Sequence, residues 1–390
     1  MTAAFITRAR PGLAAAFVCL LWIAGAGAQD GGEDPCVLVN EFGLGRFDNT
    51  QDLVKKCEEQ EAAPLGTSRA LPGDKAAADT ADEELEAIDY VEGDGSRAIY
   101  GEDDRLEPSQ LAAQSSHPRP DLLAKAVKAT AALVYRKNLL PLAGGRFRLK
   151  LRPYTPGGKP LCEGQNFAKQ RVGAHCTSFL IAPNLVATAG HCIKWEDVNS
   201  LDRSRNTFAI VFGFEMKDGR ERDEFRPEDV YEIKSVVEHF LDGSGNTLRD
   251  FAVVELDRDV PDAVAEPLRL AGRAGLTVRA KTRLGVIGYP SGLPAKVSFS
   301  DKSVSQAMEE GSDTMFRAQL NTFKGNSGSP TLFWDQPDVV AGILVQGEQD
   351  FIPTQDNCWV HAIYKSDELC NGKRCSEKVT KSALIEPYVP

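Results

Sequence analysis

From Thr177 onward the chain repeats one pattern: a short apolar run, then a cluster of Gly, Pro, Asn or Asp. The runs are Thr177–Ile181, Leu185–Thr188, Ala209–Phe212, Phe251–Leu256, Leu284–Ile287, Met315–Gln319, Thr331–Phe333 and Val339–Val345. Short apolar segments with this punctuation predict β-strands, and many of them in series predict an all-β sandwich or barrel. Upstream the period changes. Residues 121–135, with Asp121, Leu122, Leu123 and then Val127 to Val134, follow Pro120 and predict an amphipathic helix.

The first hundred residues read differently. Arg8 and Arg10 precede an apolar run from Leu13 to Ile23, and Ala26-Gly27-Ala28 follows. A basic segment, a short apolar segment and small residues in that order predict a secretory signal over 1–28. The alternative, a membrane anchor, has too short an apolar run to span comfortably. Residues 29–97 hold Pro64, Pro72 and Gly73, then an acidic stretch from Asp79 to Gly95 with little apolar periodicity. That composition buries little and predicts a propeptide or a loosely ordered N-terminal extension. Residues 98–390 form the remaining domain.

Charge and cysteines narrow the function classes. A net charge of −11 over 390 residues, with no basic stripe, argues against a nucleic-acid partner. Nine cysteines fall to eight when the signal containing Cys19 is removed, an even number in an exported chain, which favours disulfides. Cys36 and Cys57 are expected to pair locally. Cys162, Cys358, Cys370 and Cys375 allow three connectivities, of which Cys370–Cys375 with Cys162–Cys358 is the expected one. A metal site from Cys358, His361, Cys370 and Cys375 is the rival; its spacing departs from paired zinc-finger motifs, and no metal is expected.

Three short motifs carry candidate chemistry. Thr188-Ala189-Gly190-His191-Cys192 places a histidine just after an apolar strand. Arg249-Asp250-Phe251-Ala252 places a carboxylate at the head of another. Thr322-Phe323-Lys324-Gly325-Asn326-Ser327-Gly328-Ser329-Pro330 places a serine in a glycine-flanked loop. A serine hydroxyl is a poor nucleophile at neutral pH. It needs a base, and the base needs a third group to fix its tautomer and stabilise its charge. The order His, Asp, Ser and the Ser329 after Gly328 both exclude the Gly-x-Ser-x-Gly hydrolase elbow. His117, His175 and His239 are assigned no catalytic role, and Asp242, Asp257 and Asp259 are the competitors of Asp250.

These motifs resemble the chymotrypsin-like (trypsin-fold) serine proteases, in particular the bacterial glutamyl-endopeptidase-like branch with its Gly-Asn-Ser-Gly-Ser-Pro loop. The resemblance runs from about Ala98 onward. It implies two packed six-stranded antiparallel β-barrels with a few short helices and the active site between them. It implies Ser327 as nucleophile, His191 as general base and Asp250 as its orienter. The Gly325 and Ser327 amides would form the oxyanion hole, and Cys176 and Cys192 a disulfide. Gly288-Tyr289-Pro290-Ser291-Gly292 corresponds to a structural turn. No cofactor is implied.

The resemblance has two departures. Animal trypsin-like enzymes carry an Asp before the nucleophile that pairs with the freed N-terminus; here the residue is the uncharged Asn326. A zymogen, if there is one, would work another way. In the specificity pocket, expected from Asn321, Thr322, Val345, Gln346 and Gly347, Asn321 stands where an Asp would select Lys or Arg. Thr322 suits glutamyl specificity, yet Leu344 stands where glutamyl endopeptidases carry a histidine, so the P1 residue stays open. Ser96-Arg97-Ala98-Ile99 resembles a maturation site, with cleavage after Arg97. The expectation is a secreted (extracellular or periplasmic), monomeric serine endopeptidase acting on protein or peptide substrates, without a membrane partner once the signal is removed. A protease-like binding protein and an esterase on the same fold are the alternatives.

Overall fold

The computed structural model describes residues 98–193, 207–299, 305–370 and 373–390. The predicted signal (1–28) and N-terminal extension (29–97), with Cys36 and Cys57, lie outside them.

Six strands close into a barrel. They are β1 (Thr130–Tyr135), β2 (Cys176–Ala182), β3 (Leu185–Thr188), β4 (Phe208–Phe212), β5 (Val230–Asp242) and β6 (Arg249–Leu256). The hydrogen-bonded order is β5-β6-β3-β2-β1-β4, with β4 returning to β5. Closure removes the exposed edges that an open antiparallel sheet would leave. β5 is long enough to serve two partners. Its first residues pair with β4, and the rest pairs with β6 across two register shifts, at Ile233/Ser235 and Val236/Glu238. Such bulges bend a strand and raise its twist. Phe179, Ile210, Phe212, Phe251 and Val253 are buried in the adjoining core.

A helix, α1 (Pro120–Ala129), precedes β1. Pro120 opens it and Asp121 sits in its first turn, as helix starts favour. The sequence predicts this helix to residue 135, but it stops at Ala129. Thr130 turns extended, with its N–H bonded to the Ala126 and Val127 carbonyls and its hydroxyl donating to Ala126 O at 2.9 Å. The run Thr130-Ala131-Ala132-Leu133-Val134-Tyr135 instead forms ladders with β2 and β4. Barrel closure uses those backbone groups on both sides, and this long-range pairing overrides the local helical period.

The second sheet contains β7 (Leu284–Gly288), β8 (Lys296–Ser298), β9 (Gln306–Ala307), β10 (Met315–Gln319), β11 (Pro330–Phe333), β12 (Gln336–Gln346) and β13 (Glu377–Lys381). Its order is β8-β7-β11-β12-β13-β10-β9. The expected second barrel is closed less fully than the first. β9 meets the start of β7 through a single bridge, Arg283–Gln306, rather than through a ladder. Leu284, Val286, Phe316, Leu344 and Val379 form its core.

Bonds between the two sheets place the chemistry. Thr177 N–H, in β2, donates to Ser327 O at 2.8 Å. Thr380 Oγ1, in β13, donates to Asp250 O at 3.0 Å. Three disulfides join described residues: Cys162–Cys358, Cys176–Cys192 and Cys370–Cys375. The sulfurs of Cys358, Cys370 and Cys375 are therefore not available as the thiolate donors the rival metal site needs.

Candidate active site

His191 lies in the turn Gly190–Cys192 just past β3, Asp250 is the second residue of β6, and Ser327 lies in the loop between β10 and β11. The fold brings all three together. His191 Nε2 is 2.6 Å from Ser327 Oγ. His191 Nδ1 is 2.7 Å from Asp250 Oδ2, and the other carboxylate oxygen accepts the His191 backbone N–H at 3.1 Å. Asp250 and Ser327 are buried, while the histidine ring keeps partial exposure. A carboxylate on Nδ1 holds the tautomer that leaves Nε2 to accept a proton from the serine.

His239, buried nearby, does not join this set. Its Nε2 lies 2.9 Å from Gly190 O and 3.1 Å from Ile193 O, so it braces the turn that carries His191. The Cys176–Cys192 disulfide braces the same turn from the other side. His117 is buried too, with Nε2 2.8 Å from Trp334 O.

Glycine sets the shape of the loop that carries Ser327. Gly325 has φ +93° and Gly328 φ +84°, in the left-handed region where a Cβ is strained. A side chain at Gly328 would also overlap the Thr177 carbonyl and the Thr188 hydroxyl. Neighbouring carbonyls fix the directions of two amides. Lys324 O accepts Ser291 N–H; in a trans peptide the Gly325 N–H then points the opposite way. Asn326 O accepts Ser329 N–H at 2.9 Å, which orients Ser327 N–H in the same manner. The Gly288–Gly292 turn packs beneath this loop. A Cβ at Gly288 would overlap Ser329 Oγ and Asn326 Oδ1.

Two of the five residues expected to line the pocket meet a sixth, Glu377. Thr322 Oγ1 donates to Glu377 Oε2 at 3.1 Å. A Cβ on Gly347 would overlap that carboxylate, so Gly347 lies directly against it. Val345 is buried, and Gln346 Oε1 accepts Lys378 Nζ at 2.5 Å. Asn321 does not turn its amide to open space. Its Oδ1 accepts Tyr100 N–H at 2.8 Å, and its Nδ2 donates to Glu102 O at 2.9 Å and Asp104 Oδ1 at 2.6 Å. Glu377 has no exposed surface, and sequence reasoning missed it. It is one charged residue in a short strand, with no motif around it.

His361 is buried as well, 4.8 Å from the Phe323 ring between centroids. Its Nδ1 faces Arg105 Nη2 at 3.5 Å. Burial, and then the charge of Arg105, lowers its pKa to about 4. Arg105 holds the Asp103 carboxyl down at about 2, against the opposing effect of burial, which is the largest single influence.

The trypsin-like peptidase domain family matches residues 176–343, which include His191, Asp250 and Ser327. Three solved structures are among those this chain resembles. An inactivated protease paralogue of the scabies mite is 16% identical, with TM-score 0.38, over 68% of this chain and 93% of that one. The Vibrio cholerae VesB protease is 15% identical, with TM-score 0.36, over 67% and 63% of the two chains. A Glu endopeptidase crystallised with MPD is 16% identical, with TM-score 0.34, over 74% and 96%. No curated protein matches the chain. The strand order and the match over residues 176–343 together give this chain a trypsin-like fold.

Proposed function

We propose that the protein is an exported serine endopeptidase that cuts protein or peptide substrates through an acyl-enzyme. The observation that carries this reading is the linear relay from Asp250 through His191 to Ser327, at 2.7 and 2.6 Å. Ser327 Oγ attacks the scissile carbonyl as His191 Nε2 takes its proton. The same imidazolium then gives that proton to the leaving amine. The amides of Gly325 and Ser327 stabilise the oxyanion in a site that excludes bulk water, where fixed donors are worth most. Water completes the second half-reaction and frees Ser327. The predicted signal over 1–28 and the disulfides support export into an oxidising compartment.

Two measurements test the reading. A fluorophosphonate should label wild type at Ser327 and fail to label Ser327→Ala. Mass spectrometry of a diverse peptide mixture should show new cleavages with wild type only. Labelling without peptide cleavage would move the assignment to an esterase. Absence of both would leave a binding protein on a protease fold.

A further inference from the structure

A row of three polar side chains crosses the second sheet near Ser327. Gln346 in β12 pairs with Lys378 in β13, and Lys378 pairs with Arg317 in β10. Residues paired directly across antiparallel strands put their side chains on one face. All three are half-buried, while Val345, Phe316, Ala318, Glu377 and Val379 beside them in the chain are buried. At one end of the row Lys378 Nζ donates to Gln346 Oε1. At the other, Arg317 Nη2 donates to the Arg374 carbonyl. Arg374 and Lys373 are exposed on a small hairpin, in which Leu369–Cys370 pairs with Lys373–Arg374. The Cys370–Cys375 disulfide closes that hairpin.

Four cations therefore gather here: Arg317, Lys373, Arg374 and Lys378. None of them forms an ion pair with a described residue. Like charges directly opposite across a ladder destabilise a sheet, and Arg317 and Lys378 are such a pair. Burial, and then the charge of Arg317, lowers the Lys378 pKa. Lys373 adds to this and Glu348 opposes it. The fold keeps positive charge together at a cost that a bound anion would offset.

The place of the cluster suggests which anion. Gly328 N–H donates to Leu344 O at 2.8 Å, and Leu344 N–H donates to Ser329 O at 3.0 Å. β12 thus passes beside the residue after Ser327, and Gln346 follows about 7 Å further along the strand. A peptide with its carbonyl at Ser327 and its preceding side chain against Val345 and Gly347 continues past Gln346. Roughly the second to fourth residues before the cut then come within reach of the cations, at about 3.3 Å of chain per residue.

We propose that Arg317, Lys373, Arg374 and Lys378 bind carboxylates of the substrate on the amino-terminal side of the cut, so that the preferred substrates are acidic peptides. This rests on the proposed peptidase reading and adds its substrate class. Arginine supplies the planar fork that matches a carboxylate, and the two lysines supply mobile point charges. The disulfide-closed hairpin holds Lys373 and Arg374 at the outer end of the row, and Gln346 marks its inner end at the pocket wall.

The test uses the full secreted chain. One well-cut peptide from a diverse mixture is remade with Glu, or with Gln, at the second to fourth residues before its cut. Wild type should cleave the Glu form with a kcat/KM about fivefold higher, the scale of a few partly exposed charge pairs. The Glu/Gln ratio should fall toward one with added salt, and also in Arg317→Gln and in Arg374→Gln. Arg317→Gln removes one of two opposed like charges, so its melting midpoint should equal or exceed that of wild type. A ratio of one in wild type, with both peptides cut, would overturn the site and leave the peptidase reading standing. An unchanged ratio in both variants, or a lowered midpoint in Arg317→Gln with the ratio kept, would also overturn it. A fluorescein-labelled hexaglutamate separates the two readings. If no form cuts any peptide, but wild type binds this probe and the Arg317→Gln, Arg374→Gln double variant does not, the acidic-peptide site holds and the peptidase reading fails.

Discussion

Asp250 grips His191 twice, at the ring Nδ1 and at the backbone N–H, with one oxygen for each. One carboxylate therefore sets both the position of the turn and the tautomer of the imidazole. Asp250→Asn keeps the volume and can still accept the backbone N–H. Its amide cannot hold Nδ1–H in the same way, so the ring can adopt the wrong tautomer. kcat should fall by about 10⁴-fold, with an unfolding midpoint close to wild type. Peptide-cleavage kinetics beside a urea melt check this, and a fall of less than tenfold would remove Asp250 from the relay.

Gly328→Ala probes the loop that presents Ser327. The new Cβ meets the Thr177 carbonyl and the Thr188 hydroxyl at φ +84°, and both atoms belong to strands of the closed barrel. The carbonyl cannot retreat without moving β2, and the hydroxyl is held by its own bond to that carbonyl at 2.7 Å. The cost should exceed the about 1–3 kcal/mol of backbone strain alone, read as a lower urea midpoint. Ser329→Ala, by comparison, loses only the bond to Asn326 Oδ1 and should cost about 1 kcal/mol.

Removing the Cys176–Cys192 disulfide tests how the His191 turn is held. The bridge closes a sequence separation of 16 residues, a loop for which cross-linking stabilises by about 3 kcal/mol. The double Cys→Ala variant should lose roughly that in a reversible melt. It should also lose more kcat than KM, because Cys192 directly follows His191, the proposed base. Unchanged kcat would show that His239 and Asp250 hold the turn unaided.

Much of this architecture is readable along the chain. The eight apolar runs with Gly, Pro and Asn punctuation correspond to strands because each buried strand needs a turn residue at its end. The motifs around the proposed triad stand in local sequence; in the Ser327 loop, backbone shape at Gly325 and Gly328 demands glycine. What could not be read is long-range. Ala98 meets Glu377 across 279 positions, and nothing near either residue announces the other. Residues 130–135 read as helix for the same reason: their strand character comes from partners on β2 and β4, not from their neighbours.

His361 makes a pH prediction with a definite sign. Its Nδ1 faces the Arg105 guanidinium, so it can accept a hydrogen bond but not carry a proton there without repulsion. Its Nε2 has no hydrogen-bond partner among the described residues. Phe323 and Phe351 cover the ring. Asp103 alone opposes these effects, and burial with Arg105 wins, leaving a folded pKa of about 4 against 6.5 for a free histidine. Between those values the unfolded chain binds a proton that the folded chain refuses. Stability from this residue is therefore complete above pH 6.5 and falls as pH drops toward 4, by about 3 kcal/mol in total. The Asp103–Arg105 pair does not confuse the window, because a carboxyl held near 2 loses its contribution only below its unfolded value of 3.8. Urea melts at steps from pH 7 to 4 should show the decline in wild type and a much flatter profile in His361→Gln. Equal slopes in the two proteins would show that another group accounts for the acid sensitivity.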